Sequence, residues 1–266
     1  DKVLVSGDGI NASFNAVTGR LESLVMDGRQ IIAAGQGPEY SNHRWIENDR
    51  FTDTSNGLEE KGKIEGVDNK DGSVAIVTSR DGSLCKTDIT YTFYPGGIVD
   101  IDASFTPKTD ALRRAGLVMG LDPALSEVAY YALGPWENSS DRRDGVTAGR
   151  YTSQVGKMGA DYVTPQTTGE RQDLREVTFT DPSTGFSLNI QAEGLPTFSA
   201  LRNTDEDLMN AMHQWELQPR PYTVVHIDAS TRGIGNASCG HDVGTMPKYC
   251  VPDHPLSYKL RLSTNK

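Results

Sequence analysis

Residues 85–93 read Cys-Lys-Thr-Asp-Ile-Thr-Tyr-Thr-Phe, and their strict two-residue alternation restricts this stretch to a half-buried β-strand. Cys85, Thr87, Ile89, Tyr91 and Phe93 share one face, with Lys86, Asp88, Thr90 and Thr92 opposite. A helix would scatter both sets around its circumference. The pattern recurs along the chain. Ile10, Ala12, Phe14 and Ala16 alternate up to a Thr18-Gly19 turn; Leu21, Ser23 and Val25 follow, and Asp27-Gly28 is a hairpin signal ahead of Ile31-Ile32. Val74, Ile76 and Thr78 lead to an Asp81-Gly82 turn, and Pro95-Gly96-Gly97 closes the strand at 85–93. Val99, Ile101, Ala103 and Phe105 then point inward, with Asp100, Asp102 and Ser104 outward. Further strands are expected at 127–133, 174–180, 185–191, 223–228 and 257–263; Asp205 to His213, with Thr204 as N-cap, reads as a short helix. The sum is an all-β chain of two packed antiparallel sheets. With 266 residues, including 27 Gly and 13 Pro, the chain has both the length for a real core and the residues for its turns.

Charge and composition narrow the function classes. Acids outnumber bases 36 to 26, for a net charge of −10, and no Lys/Arg cluster appears, which argues against a nucleic-acid partner. No apolar run approaches the ~18 residues that span a bilayer, so no membrane partner is expected. Cys85, Cys239 and Cys250 allow at most one disulfide. The chain opens on Asp1 rather than Met, and we expect residues 1–266 to be a single domain excised from a larger protein.

Three stretches, 38–62, 134–172 and 232–255, lack the alternation yet hold half of the Trp, His and Arg residues, which points to ordered, site-forming loops. The densest is Leu133-Gly134-Pro135-Trp136-Glu137-Asn138-Ser139-Ser140-Asp141-Arg142, where an apolar run turns at Gly-Pro into a carboxylate, an amide and an Asp-Arg pair. Polar groups packed this closely must satisfy one another if they leave water.

These segments resemble the C-terminal, small-chain region (domain 5) of bacterial β-galactosidases of glycoside hydrolase family 2. Gly134-Pro135-Trp136-Glu137-Asn138 with Asp141-Arg142 matches that family's G-P-x-E-N-x-x-D-R. Trp45 to Arg50 resembles its R-A-P-x-D-N-D segment. Tyr162 to Gln166 with Gly169, Arg171 and Arg175 resembles Y-x-x-P-Q-E-N-G-x-R-x-x-x-R, and Gly233 to Gly240 resembles G-x-G-N-x-S-C-G. The resemblance implies an antiparallel β-supersandwich of the galactose-mutarotase kind. In the family it packs against a catalytic (β/α)₈ barrel and lends loops to the rim of the sugar pocket of an enzyme that hydrolyses terminal β-D-galactosides with retention. Both catalytic glutamates lie on that barrel, and the present chain lacks the strand-helix repeats of one. The implied partners are therefore the barrel of the same parent chain and the galactoside substrate, with a homo-oligomeric parent as a further possibility. The chain itself should need no cofactor, whereas the parent is expected to use Mg and Na. Its compartment, bacterial cytoplasm or periplasm, stays open. The chain departs from the pattern at three places, the first being Glu47 in place of the acidic residue of x-D-N-D, with Trp45 where a small residue is common. Cys239 stands where some members have a sugar-stacking Trp, and Thr167-Thr168 replace Glu-Asn, removing a carboxylate.

On this reading the pocket rim comprises Asn48, Asp49, Arg50, Asn236, Ser238, Cys239 and His241. Glu137, Asn138, Asp141, Arg142, Arg171 and Arg175 form a structural network. Glu137 and Asp141 could instead be a glycosidase carboxylate pair, which requires separations of about 5–9 Å across one bond. Cys239-x-His241 with Cys250-x₃-His254 could hold zinc, though the spacing fits no finger or ribbon, and no metal is expected. A Cys239–Cys250 disulfide is the competing reading. Trp45, Trp136 and Trp215 could be sugar platforms; core or interface anchoring is commoner, and Trp136 is expected half-buried. His213 and His226 read as satisfied structural histidines. The rival functions are an independent carbohydrate-binding module, a mutarotase-like aldose epimerase, and a purely structural domain marked by an exposed apolar docking patch.

Overall fold

The computed structural model describes residues 1–47, 49, 62–235 and 244–265. Its strands, in chain order, are β1 (Lys2–Gly7), β2 (Ile10–Asn15), β3 (Leu21–Met26), β4 (Arg29–Ile32), β5 (Glu39–Ser41), β6 (Gly62–Lys70), β7 (Ser73–Asp81), β8 (Cys85–Tyr94) and β9 (Ile98–Pro107). They continue as β10 (Arg114–Leu121), β11 (Glu127–Gly134), β12 (Thr147–Gln154), β13 (Glu176–Thr180), β14 (Ser187–Glu193), β15 (Thr197–Leu201), β16 (Thr223–Thr231) and β17 (Leu256–Thr264). A single short α-helix, α1 (Asp205–Asn210), is seen among the described residues, with three one-turn 3-10 helices. One sheet runs β1-β2-β3-β4-β10-β16-β15, with β5 also on β10; the other runs β12-β11-β13-β14-β17-β9-β8-β7-β6. All pairings are antiparallel. The expected all-β supersandwich is what forms.

The alternating strands behave as their periodicity dictates. In β8 the inward set Cys85, Thr87, Ile89, Tyr91 and Phe93 is buried, and its neighbours are half-exposed. Two residues in tight turns explain the register. Asp27-Gly28 and Asp71-Gly72 both have positive φ (48° and 78°, 49° and 79°), the type I′ geometry that matches the strand twist. The sheets close on one apolar core in which Phe14 meets Tyr91 edge-on at 5.1 Å and Phe105 lies 5.6 Å from Tyr258.

Several elements escape the alternation rule. β10, Arg-Ala-Gly-Leu-Val-Met-Gly-Leu, is almost wholly buried, as are β15 and most of β16. A strand covered on both faces has no polar side, so period two vanishes from its sequence. β12 escapes for the opposite reason: it is a mostly exposed edge strand with no apolar face to alternate, inside a segment expected to be irregular. The helix ends at Asn210, three residues short of the expected His213, after a capping box between Thr204 and Asp207. Asp100, expected outward in solvent, is only 3% exposed because Arg261 clamps it with two bonds of 2.7 Å.

Candidate functional site

The outer face of β10, β15 and β16 carries charge where a second core might be expected. Arg114 from β10 and His226 and Asp228 from β16 project from it, since alternate residues of a strand share a face. Gly116, opposite Asp228, has to be glycine: an added Cβ would lie 2.0 Å from Asp228 Oδ1. The loops then cover this face. Arg44 grips Glu170 with two bonds (3.0 and 2.9 Å) and donates a third to the Arg232 carbonyl (2.5 Å). Arg113 donates to the carbonyls of Arg44 (2.6 Å) and Asp49 (2.7 Å). Arg114 contacts His226 Nδ1 and lies 3.4 Å from Asp205, 3.7 Å from Glu170 and 3.8 Å from Asp228. His226 Nε2 is 3.1 Å from Asp205.

Burial sets the electrostatics of this cluster. Desolvation pushes the Asp205 carboxyl up, but Arg114, His226 and the Thr167 hydroxyl outweigh it and hold the group well below the usual range. For Asp228 desolvation wins, and its carboxyl is raised despite Arg114. The His43 imidazole is pushed down, chiefly by burial.

A second layer ties the loops to one another. Glu137 is pushed up by burial, yet bonds from Thr168 Oγ1 (2.5 Å), Tyr162 Oη, the Gly169 amide (2.9 Å) and Arg142 (2.5 Å) bring it below its usual value. Asp141 accepts from Ser139 Oγ (2.7 Å) and from the amides of Ile234 (3.0 Å) and Gly235 (2.7 Å), which likewise outweigh desolvation and lower it. Gly233 allows that approach: its added Cβ would sit 2.6 Å from the Asp141 carboxyl carbon. Asn138 donates to the carbonyls of Leu133 and Trp136 and accepts from the Gln172 amide. Arg171 donates to Tyr130 Oη and to the Glu170 and Met158 carbonyls, whereas Arg175 lies over the Tyr131 ring at 5.0 Å. Thr167 and Thr168 keep the network closed without the carboxylate that the motif would place there. The Thr167 hydroxyl binds Asp205 and accepts from the Trp45 amide.

Two depressed, saturated carboxylates make poor proton donors, an environment that fits the expected structural network better than a general acid with its partner. The space among Ile46, Glu137 and Ile234 is about 20 Å³, room for roughly one water.

Of the residues expected at a rim, Asp49 is completely buried, and Arg232 Nε lies 3.6 Å from its carboxylate. Asn48, Arg50, Asn236, Ser238, Cys239 and His241 lie outside the described residues. The zinc and disulfide readings both involve Cys239 and lie there too; Cys250 Sγ approaches the Thr245 and Met246 carbonyls at 3.7 Å. The flanks of the two segments nevertheless meet at Asp49–Arg232, and Asp141 of the 134–172 stretch holds the second flank at Ile234. Trp136 is 72% exposed and not half-buried, because Asn138 pins the backbone beneath it and leaves the indole outside. Trp45 is half-buried, and Trp215 stacks on His213 at 4.1 Å. The buried Arg44, Arg113, Arg114, Glu170, Asp205, Asp228 and Arg232 were missed from the sequence. A signal existed: His226 and Asp228, two apart in an otherwise apolar Val-Val-His-Ile-Asp run, had to share a face.

Comparison with known proteins accords with this geometry. A β-galactosidase of Lactobacillus delbrueckii subsp. bulgaricus is 29% identical over 97% of this chain and 26% of its own length. That of Actinobacillus pleuropneumoniae is 30% identical over 70% of this chain and 18% of its own. The chain thus spans about a quarter or less of the relatives it matches. Among solved structures, a putative aldose 1-epimerase from Escherichia coli K12 superposes over 100% of this chain and 99% of its own with a TM-score of 0.57. At 10% identity this likeness shows the galactose-mutarotase-like fold alone. The family model for the β-galactosidase small chain matches residues 6–262, and the chain belongs to that family.

Proposed function

We propose that this chain is the C-terminal supersandwich of a retaining β-galactosidase acting on terminal β-D-galactosides. It covers the catalytic barrel of the same parent and supplies loops to the rim of the sugar pocket. It carries neither the nucleophile nor the acid/base. The observation that supports this most is the meeting of the flanks of the two rim segments at Asp49–Arg232, with the second flank also tied to the 134–172 stretch at Asp141–Ile234. A substrate wall contributed to another domain has to be held to within about 0.5 Å, and Asp141, with bonds from Ser139, Ile234 and Gly235, holds its loop base in one arrangement. Val163, Met212 and Trp215, 91%, 67% and 76% exposed and linked through the Gln214–Tyr162 bond, are suited to docking such a partner.

The epimerase reading gains little from the shared fold. Its acid and base must reach a sugar, and the His226–Asp205 pair is only 6% and 7% exposed beneath the loops. The direct test is turnover of a chromogenic β-galactoside by the 266-residue chain. None is expected. Robust hydrolysis that survives Glu137→Gln would refute the assignment, and hydrolysis lost on that change would make Glu137 catalytic.

A further inference from the structure

The indole of Trp136 has no part in the network that surrounds it. Its backbone is held on both sides, by Tyr130 Oη on the Pro135 carbonyl (3.1 Å) and by Asn138 on its own carbonyl (3.0 Å), so the exposed ring is presented from a fixed base. Beside it opens a cavity of about 590 Å³ walled by Trp136, Tyr162, Thr152, Ser153 and Lys157. Tyr162 is itself fixed by its bond to Glu137. A second cavity of similar size shares Thr152, Ser153 and Lys157 and extends to Glu127, Gln154 and Thr180. The two together make a trough along β12, the edge strand of its sheet. Each is within the size range of ligand sites, about 300–1,000 Å³.

The lining selects the ligand. An indole face takes the apolar C–H side of a pyranose ring, and hydroxyl, amide, ammonium and carboxylate groups take its hydroxyl rim. An apolar peptide would need apolar pockets along the second cavity, which instead presents Glu127, Thr152, Ser153, Gln154, Lys157 and Thr180. We propose that this trough binds an oligosaccharide, with one sugar on Trp136 and the next units along β12. Glu137 and Arg142 of the loop network also wall the first cavity, but the proposal does not depend on the role inferred for the rim.

The test is a titration of the 266-residue chain with lactose, β-1,4-galactotetraose, cellotetraose and trigalacturonate, followed by indole fluorescence and amide NMR shifts. At least one tetrasaccharide or the trigalacturonate should bind with Kd of about 0.1–1 mM, shifting Trp136, Thr152, Ser153 and Lys157. Trp136→Ala should weaken it at least about tenfold, Thr152→Trp should block the trough where the cavities meet, and Trp215→Ala should leave it unchanged. Because Trp136 is exposed, its removal should leave the melting temperature in place. Silence from all four probes up to about 10 mM, or binding that both Trp136→Ala and Thr152→Trp leave intact, would overturn the proposal.

Discussion

The two faces of the β1–β4, β10, β15, β16 sheet are buried by opposite means. Toward the other sheet its own Phe14 packs on Tyr91, with Phe105 and Tyr258 beside them, an apolar filling that gains from area and shape alone. On the far side its own Arg114 and Asp228 meet Arg44, Arg113, Glu170 and Asp205, all buried. Desolvating such charges costs about what their attraction returns, so this face adds little net stability. It adds direction. An apolar contact tolerates sliding, whereas a two-bond Arg44–Glu170 pair or an Asp141 carboxylate on two consecutive amides fits one arrangement of its loops. The fold is held together on one side and its loop bases are placed on the other.

The sharpest way to break that contrast is to remove one member from each face. Phe105→Ala and Arg114→Met should each cost about 3–5 kcal/mol by denaturant unfolding. Only the second should be repairable: adding Glu170→Gln and Asp205→Asn to Arg114→Met should recover about 1–3 kcal/mol, because the unpaired charges, and not lost volume, carry the damage. If the triple variant is no better than the single one, the charged face is an ordinary core.

A smaller effect separates the two carboxylates beside Arg114. The folded-state carboxyl of Asp205 is lowered from about 3.9 in the unfolded chain, so its contribution is present above about pH 4 and lost as pH falls through the folded value. Asp228 is raised, so its contribution is full below about pH 4 and is lost as pH climbs through the folded value. At pH 7, Asp205→Asn should cost about 2–3 kcal/mol, whereas Asp228→Asn should be neutral or stabilising by up to about 1 kcal/mol. Unfolding curves from pH 3 to pH 8 check both, and a large loss on Asp228→Asn would sink the distinction. Next in size, Gly233→Ala should cost about 1–3 kcal/mol by forcing Asp141 off the loop. Smallest, Thr204→Ala should cost about 1 kcal/mol through the α1 cap, with no effect on either face.

The same contrast explains what was legible in the sequence. β8 and β9 face a core on one side and solvent on the other, so their residues alternate and both could be read directly. β10 and β15 are covered on both faces, and the charges that cover β10 come from loops far away in sequence: Arg44 and Glu170 are 126 residues apart. No local pattern encodes such a pairing. Glu137, Asn138, Asp141 and Arg142 could be grouped because a turn motif holds them within six residues, and the structure does network them, Glu137 with Arg142 and Asp141 with the 233–235 loop. The exposure of Trp136 was not readable, since it depends on where Asn138 anchors the chain beneath the ring.

The central claim, that a network of buried charges sets loop bases for another domain's reaction, is tested most directly by kcat/KM toward a β-galactoside in the intact β-galactosidase inferred to contain this segment, with Asp141→Ala against the unmodified enzyme. Losing the Ser139, Ile234 and Gly235 bonds should lower kcat/KM at least about tenfold, roughly 1.4 kcal/mol, while the melting temperature moves by only a few degrees. An unchanged kcat/KM in a folded variant would contradict the account.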